Sequence, residues 1–225
     1  MGATQVSAEP LFHNRSDAGK VLAGLLTPVI ENRNVIVLAL PRGGVPVAFE
    51  IAQKFHADLD VFLVRKIGVP GHEELAMGAV ASGGVRVLNE SIIRDLRIPQ
   101  AAINIATQRE EREIARQERL YRDGRPPLNP AGRTVVLVDD GLATGATMLA
   151  AARALRPQKP GRLIVAVPVA AAQACEEVRE HVDQVVCAAT PEPFYAVGVW
   201  YEDFSQVSDD EVRDLLERAA HQHIQ

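Results

Sequence analysis

Residues 135–148 read VVLVDDGLATGATM, and no other stretch restricts the fold as strongly. Three valines and a leucine make a strand suited to burial on both faces, two adjacent carboxylates follow, and a run of small residues leads into helical spacing. In an open α/β sheet, ligands bind beyond the carboxyl ends of the strands, and here that position coincides with a helix N-terminus. Gly141, Ala143, Gly145 and Ala146 are small enough for backbone N–H groups to converge on an anion. Leu142 adds an amide to the run, and Thr144 and Thr147 add hydroxyl donors. Helix dipoles favour such an anion by about 0.3–1 kcal/mol, and up to about 2 kcal/mol when partly buried. A phosphate monoester suits this nest. Asp139 and Asp140 would repel the phosphate, but they suit the hydroxyls of a sugar that carries it, directly or through Mg²⁺. A ribose 5-phosphate satisfies both halves of the segment.

The rest of the chain repeats the strand-then-helix rhythm, which predicts an α/β fold: a mainly parallel sheet with helices on both faces. Ser16–Asp17 read as the cap of a first helix with its apolar face on Ala18, Val21, Leu22, Leu25, Leu26 and Val29. VIVLAL (35–40) reads as a buried strand before PRGG and a helix over 45–55, and DVFLVRK (60–66) as one further strand. A Gly/Pro-rich loop, GVPGHEE, then leads to AMGAVA and VRVL, two short strands around a turn at 82–84. Residues 89–133 break the rhythm with a long polar helix over 100–122, followed by Gly124, Pro126, Pro127 and Pro130. That stretch reads as a helical insertion within a single domain over 1–225. The rhythm resumes with TVVLVD, a helix over 145–155, LIVAVPV, a helix around 171–181, QVVCA and a closing helix over 209–220.

Other chemistries fit poorly. The loop lacks the Lys of a Walker sequence, no GxSxG elbow occurs, and the run from His72 to Ala76 lacks the second His of a zinc-protease helix. Net charge is 24 − 29 = −5, which argues against a general nucleic-acid surface. Cys175 and Cys187 lack CxxC spacing and read as two buried thiols of a reducing compartment. The first residues show no secretory pattern, and no apolar run approaches membrane-spanning length. The expectation is a soluble cytoplasmic chain.

At residues 139–148 the chain resembles the type I phosphoribosyltransferases, whose signature is an apolar strand, an acidic pair and a small Thr/Gly loop. DDGLATGATM is similar to the adenine-type version, with Ala143 where hypoxanthine-guanine types carry an Asp. The layout resembles that of uncharacterised bacterial phosphoribosyltransferase-domain proteins, whose acceptor the fold does not imply. The resemblance implies transfer of a 5-phosphoribosyl group from phosphoribosyl pyrophosphate (PRPP) to a nitrogenous acceptor, with Mg²⁺, release of pyrophosphate and a C-terminal hood. It spans about 34–81 and 133–204. In ALPRGG (39–44) it implies a pyrophosphate loop of Arg42, Gly43 and Gly44, where relatives often hold a non-proline cis peptide. It places Arg65 and Lys66 against the diphosphate, a mobile catalytic loop at 68–74, and Asp139 and Asp140 at the ribose and metal.

Glu73 and Glu74 read either as loop solubilisers or as an acid or base supplied by that loop. Residues 191–204 hold five of the ten aromatics. Phe194, Tyr195, Trp200 and Tyr201 are candidates to stack on the acceptor, with ordinary core packing as the alternative, and Glu202 and Asp203 are candidates to read its exocyclic groups. Arg109, Arg112, Arg116 and Arg119 share a helix face, read either as solvated and glutamate-paired or as a hood or homodimer contact toward an anion. His221 and His223 read as inert, and His13, His56 and His181 suggest no partner. Two other functions use the same nest: a PRPP- or nucleotide-sensing protein without turnover, and a ribosyl-phosphate hydrolase.

Overall fold

The computed structural model describes residues 9–31 and 34–221, so His223 and the N-terminal segment lie outside the described residues. Five strands form the central sheet: β1 (Val35–Ala39), β2 (Asp58–Val61), β6 (Thr134–Val138), β7 (Arg162–Val169) and β8 (Gln184–Ala189). Their order is β2-β1-β6-β7-β8, with every pairing parallel. Parallel strands need crossovers, and helices supply them. The helices are α1 (Arg15–Leu26), α2 (Gly44–Phe55), α3 (Glu90–Asp95), α4 (Gln100–Arg122), α5 (Ala146–Leu155), α6 (Ala172–Arg179) and α7 (Asp209–His221).

Alternation along each strand divides the core into two faces. Val35, Val37 and Ala39 of β1 join Val136, Val138, Ile164 and Ala166 beneath α1, α2, α4 and α7. Ile36, Leu38, Val135, Leu137, Leu163 and Val165 point the other way and pack against α5 and α6. Each Val or Leu fully buried in this way contributes about 1.5–3 kcal/mol. The expected α/β class is what the chain adopts.

Several local readings differ from the structure. Residues 60–66 are not one strand. β2 ends at Val61, and the chain leaves the central sheet through Phe62 and Leu63 to begin β3 (Val64–Val69). β3 pairs antiparallel with β4 (His72–Ala81), which pairs with β5 (Val85–Leu88), giving a separate three-stranded sheet. The expected loop at 68–74 is thus mostly strand, turning at Pro70–Gly71. Helix α1 is capped by Asn14, whose side chain accepts from the Asp17 amide, and Val21 and Leu25 stay exposed. Of the two thiols, Cys175 is buried and Cys187 half-buried.

Helix α4 buries Ile103, Ala106, Ile114 and Tyr121 against the sheet side of the molecule. A buried ion pair fixes its end: Arg122 Nε lies 3.0 Å from both oxygens of Asp60 on β2, and its Nη2 donates to the Val61 carbonyl. Among the described residues, no helix is long and apolar enough to cross a membrane.

Candidate functional site

The chain runs from β1 to β2 on one side and from β6 to β7 on the other, so the sheet reverses its order between β1 and β6. Loops that follow two such strands diverge and leave a crevice between them. Here the loops are 40–43 and 139–145. They approach until Gly43 and Asp140 touch: a Cβ on Gly43 would lie 2.0 Å from Asp140 Oδ2. The Pro41–Arg42 peptide bond is cis, a point the sequence alone left open.

Asp139 and Asp140 sit at the bottom of the crevice. The Asp140 amide donates to Asp139 Oδ1 at 2.9 Å, and Arg15 Nε donates to Asp140 Oδ2 at 2.8 Å. Burial, then the neighbouring Asp140 charge, raises the Asp139 carboxyl well above its ordinary range. Asp140 is also raised by burial, and Arg15 counters that shift. The pair therefore resists double ionisation, with its negative charge favoured on Asp140. Below the pair, the Tyr201 hydroxyl donates to the Asp140 carbonyl at 2.6 Å.

The loop above them opens to solvent. Ala143, Thr144, Ala146 and Thr147 are exposed, and Gly145 adopts the left-handed conformation (φ 71°) immediately before α5. The first amides of a helix have no carbonyl partner within it. Here the Ala146 amide has only a long contact, 3.4 Å, to Thr144 Oγ1. Leu142 drops out of the anticipated phosphate set. Its amide donates to the Val169 carbonyl at 2.9 Å, and its side chain is buried.

A cleft of about 540 Å³ lies beside the loops, lined by Pro41, Arg42, Arg65, Arg116, Tyr121, Thr147 and Asp209 among others. Arg42 Nη1 is 3.8 Å from Asp209 Oδ1, which also accepts from the Tyr121 hydroxyl at 2.6 Å. Burial, then Asp209, raises the Tyr121 hydroxyl pKa, so it remains a donor. Nothing in the spacing of Tyr121 and Asp209 pointed to this cleft, because their meeting depends on how α4 and α7 dock.

Other anticipated residues separate. Arg65 and Lys66 are neighbours on a strand and so point to opposite faces. Arg65 lines the cleft, whereas Lys66 lines a different one with Ala146, Leu149 and Arg153. Glu73 pairs with Arg109 at 3.2 Å on the exposed hairpin, and neither Glu73 nor Glu74 lines the cleft beside the loops. Trp200 and Tyr201 are buried and pack with Phe12 and Phe194, while Tyr195 is 62% exposed. Burial removes the first two from the surface on which an acceptor could stack. His13 has a partner, Glu202, 2.7 Å away, which also occupies one of the two acids considered for the acceptor. The Glu202 hydrogen bond, then its charge, raises the His13 pKa.

These features define an α/β protein whose switch-point loops set an acidic pair beside an exposed small-residue loop at a helix N-terminus. The chain belongs to the phosphoribosyl transferase domain family, whose profile matches residues 12–201. It is 44% identical over 209 residues to Rv0571c of Mycobacterium tuberculosis, whose name marks it as a provisional phosphoribosyl transferase. That match covers 93% of this chain and 47% of Rv0571c, so the chain spans about half the length of the curated relatives it matches. The crystal structure of TT1426 from Thermus thermophilus is 42% identical, with a TM-score of 0.83, covering 92% of this chain and 98% of TT1426.

Proposed function

We propose that the chain transfers a 5-phosphoribosyl group from PRPP to a nitrogen nucleophile and releases pyrophosphate. The observation that carries this reading is the contact of Gly43 with Asp140, which brings the two loops into one crevice. The amides of 143–147 and the hydroxyls of Thr144 and Thr147 would hold the 5-phosphate, with Asp139 and Asp140 at the ribose hydroxyls. Arg42 and the Gly43–Gly44 backbone would face the diphosphate, helped by Arg65 from across the cleft. Asp209 would then have to release Arg42 to the substrate.

In the transfer, the C1–oxygen bond breaks with its electron pair leaving on pyrophosphate, a C1–nitrogen bond forms, and the proton that the nitrogen gives up passes to the departing pyrophosphate or to water. The sugar passes through an oxocarbenium-like state, so the protein's contribution is to orient the groups and stabilise the leaving charge. The acidic pair fits Mg²⁺ as an ion that also keeps substrate oxygens and water, rather than one enclosed by protein. When bound, Mg²⁺ would neutralise part of the diphosphate charge.

One observation favours a sensing role instead. Ala143 carries no ionisable group, and Glu73 and Glu74 lie on the outer hairpin, so none of the three acts as base in this arrangement. Pyrophosphate release measured with PRPP, Mg²⁺ and a panel of nitrogenous bases separates the readings. Release that requires a base supports transfer, release without one indicates hydrolysis, and PRPP binding with no release indicates sensing.

A further inference from the structure

On the outer face of α4, next to the cleft, runs an open groove of about 1040 Å³. Five arginines line it: Arg65 from β3, with Arg109, Arg112, Arg116 and Arg119 from the helix. Two acids, Glu110 and Glu113, line it with them, and Glu73 reaches Arg109 from the β3–β4 hairpin, so five cations face three carboxylates in a chain whose net charge is −5. The cations are all arginine, whose planar forks match phosphate oxygens better than a lysine point charge does.

A buried carboxylate organises the groove. Glu110 is 6% exposed, and its two oxygens accept from Arg65 Nε at 2.6 Å and Arg109 Nε at 2.8 Å. Burial alone would raise this carboxyl, but the two arginines outweigh it and keep it ionised. Arg116 is held in turn by Glu113. Arg112 and Arg119 are different: among the described residues neither side chain has a hydrogen bond or ion pair. They stand two helical turns apart, about 10 Å along the axis. Set two turns apart, the two forks can each take a different phosphoryl group of one chain. Ile105, 71% exposed, adds an apolar surface at one end.

We propose that this groove is a second anion site, which takes a multiply charged phosphate chain against Arg112 and Arg119. Its chemistry is shared by inorganic polyphosphate and by the tail of a nucleoside triphosphate, for which Ile105 offers a place to rest the base. Arg65 and Arg116 line both this groove and the cleft, so occupancy of one alters the charge felt in the other. The site does not depend on phosphoribosyl transfer.

The test is calorimetric titration of the whole chain with inorganic tripolyphosphate and with a nucleoside triphosphate, near physiological ionic strength. Arg112→Glu/Arg119→Glu should weaken tripolyphosphate binding at least about tenfold, with Arg112→Gln/Arg119→Gln intermediate and PRPP binding weakened less than tripolyphosphate binding in both. Equal affinity for the two ligands assigns the groove to the phosphate chain alone, and tighter nucleotide binding that the same variant loses assigns it to nucleotides. Tripolyphosphate binding that survives in the double variant but is lost in Arg42→Ala would overturn the proposal, because the cleft would then be the site. A single-stranded oligonucleotide that binds more tightly than tripolyphosphate, and is lost in the double variant, would overturn it in favour of nucleic acid. Failure of PRPP to bind would sink the proposed function and leave the groove standing.

Discussion

Arg15 holds Asp140 across 125 residues of sequence, with Nε 2.8 Å from Oδ2 and both side chains largely buried. The same guanidinium donates from Nη1 to the Ser205 carbonyl and lies 3.9 Å over the Phe204 ring. Helix α1, loop 139–145 and the C-terminal segment therefore meet at one cation. Arg15→Gln should cost about 2–3 kcal/mol of stability, the scale of a lost hydrogen bond to a charged group. It should also weaken PRPP binding, because Asp140 loses both its anchor and its counter-charge. Arg15→Lys should recover part of the stability and little of the binding. Chemical denaturation with PRPP titration checks both. Binding equal to wild type in Arg15→Gln would show that Asp140 needs no such anchor.

Asp139 gives the protein a pH dependence opposite in sign to that of a salt-bridged carboxylate. Burial and the adjacent Asp140 raise its folded pKa, so the folded state keeps a proton that the unfolded chain releases at about pH 3.9. Stability from this residue is intact below that pH and is lost as pH rises toward the folded value. Asp139→Asn should therefore raise Tm at neutral pH, by about 2–4 °C for each kcal/mol recovered. At acid pH, where wild-type Asp139 is already neutral in both states, the difference should vanish. The Asn oxygen can still accept from the Asp140 amide, so the loop has no reason to rearrange. Scanning calorimetry across pH, with Arg15 and Asp140 intact, reads this directly; a lower Tm at neutral pH would contradict it.

Two glycines are required for different reasons. Gly43 has ordinary helical dihedrals but no room, since a Cβ would fall 2.0 Å from Asp140 Oδ2. Gly145 has room, its nearest neighbour to a new Cβ being 3.4 Å away, but its φ of 71° penalises any L side chain. Gly145→Ala should cost about 1–2 kcal/mol with binding largely kept. Gly43→Ala must displace Asp140, and it should reduce PRPP affinity by at least about tenfold, with an overpacking cost of about 1–3 kcal/mol. Paired denaturation and binding measurements distinguish the two effects.

The aromatic segment divides in the same way. Tyr201→Phe removes the hydroxyl that donates to the Asp140 carbonyl and should cost about 0.5–1.5 kcal/mol without altering preference among acceptors. Tyr195 is exposed, so Tyr195→Ala should leave Tm unchanged and raise KM for the acceptor alone. A KM change in Tyr201→Phe of the kind expected for Tyr195→Ala would reverse these roles.

How legible all this was in the sequence depended on the range of the interaction. Strands 35–39 and 134–138 were readable because burial on both faces demands continuous β-branched runs, and the loop before α5 was readable because strand, acids and small residues are contiguous. The break at Phe62–Leu63 was hidden, since both strands are apolar there and neither Gly nor Pro marks the exit. Its cause lies elsewhere: the Phe62 amide still pairs with Ala39, but the Leu63 amide turns to the Ser82 hydroxyl. Arg15 and Tyr121 were missed for the same reason, as their partners stand far away in the chain. Leu142 could not be told from its neighbours until Val169 was seen to take its amide.

The most direct measurement follows the backbone amide resonances of residues 139–149 in isotope-labelled protein during titration with ribose 5-phosphate. The amides of Ala143, Thr144, Gly145, Ala146 and Thr147 should shift together and saturate with one affinity, while Leu142, already bonded to Val169, moves little. Saturable shifts confined to the α4 arginines, with the 143–147 amides unmoved, would contradict the account.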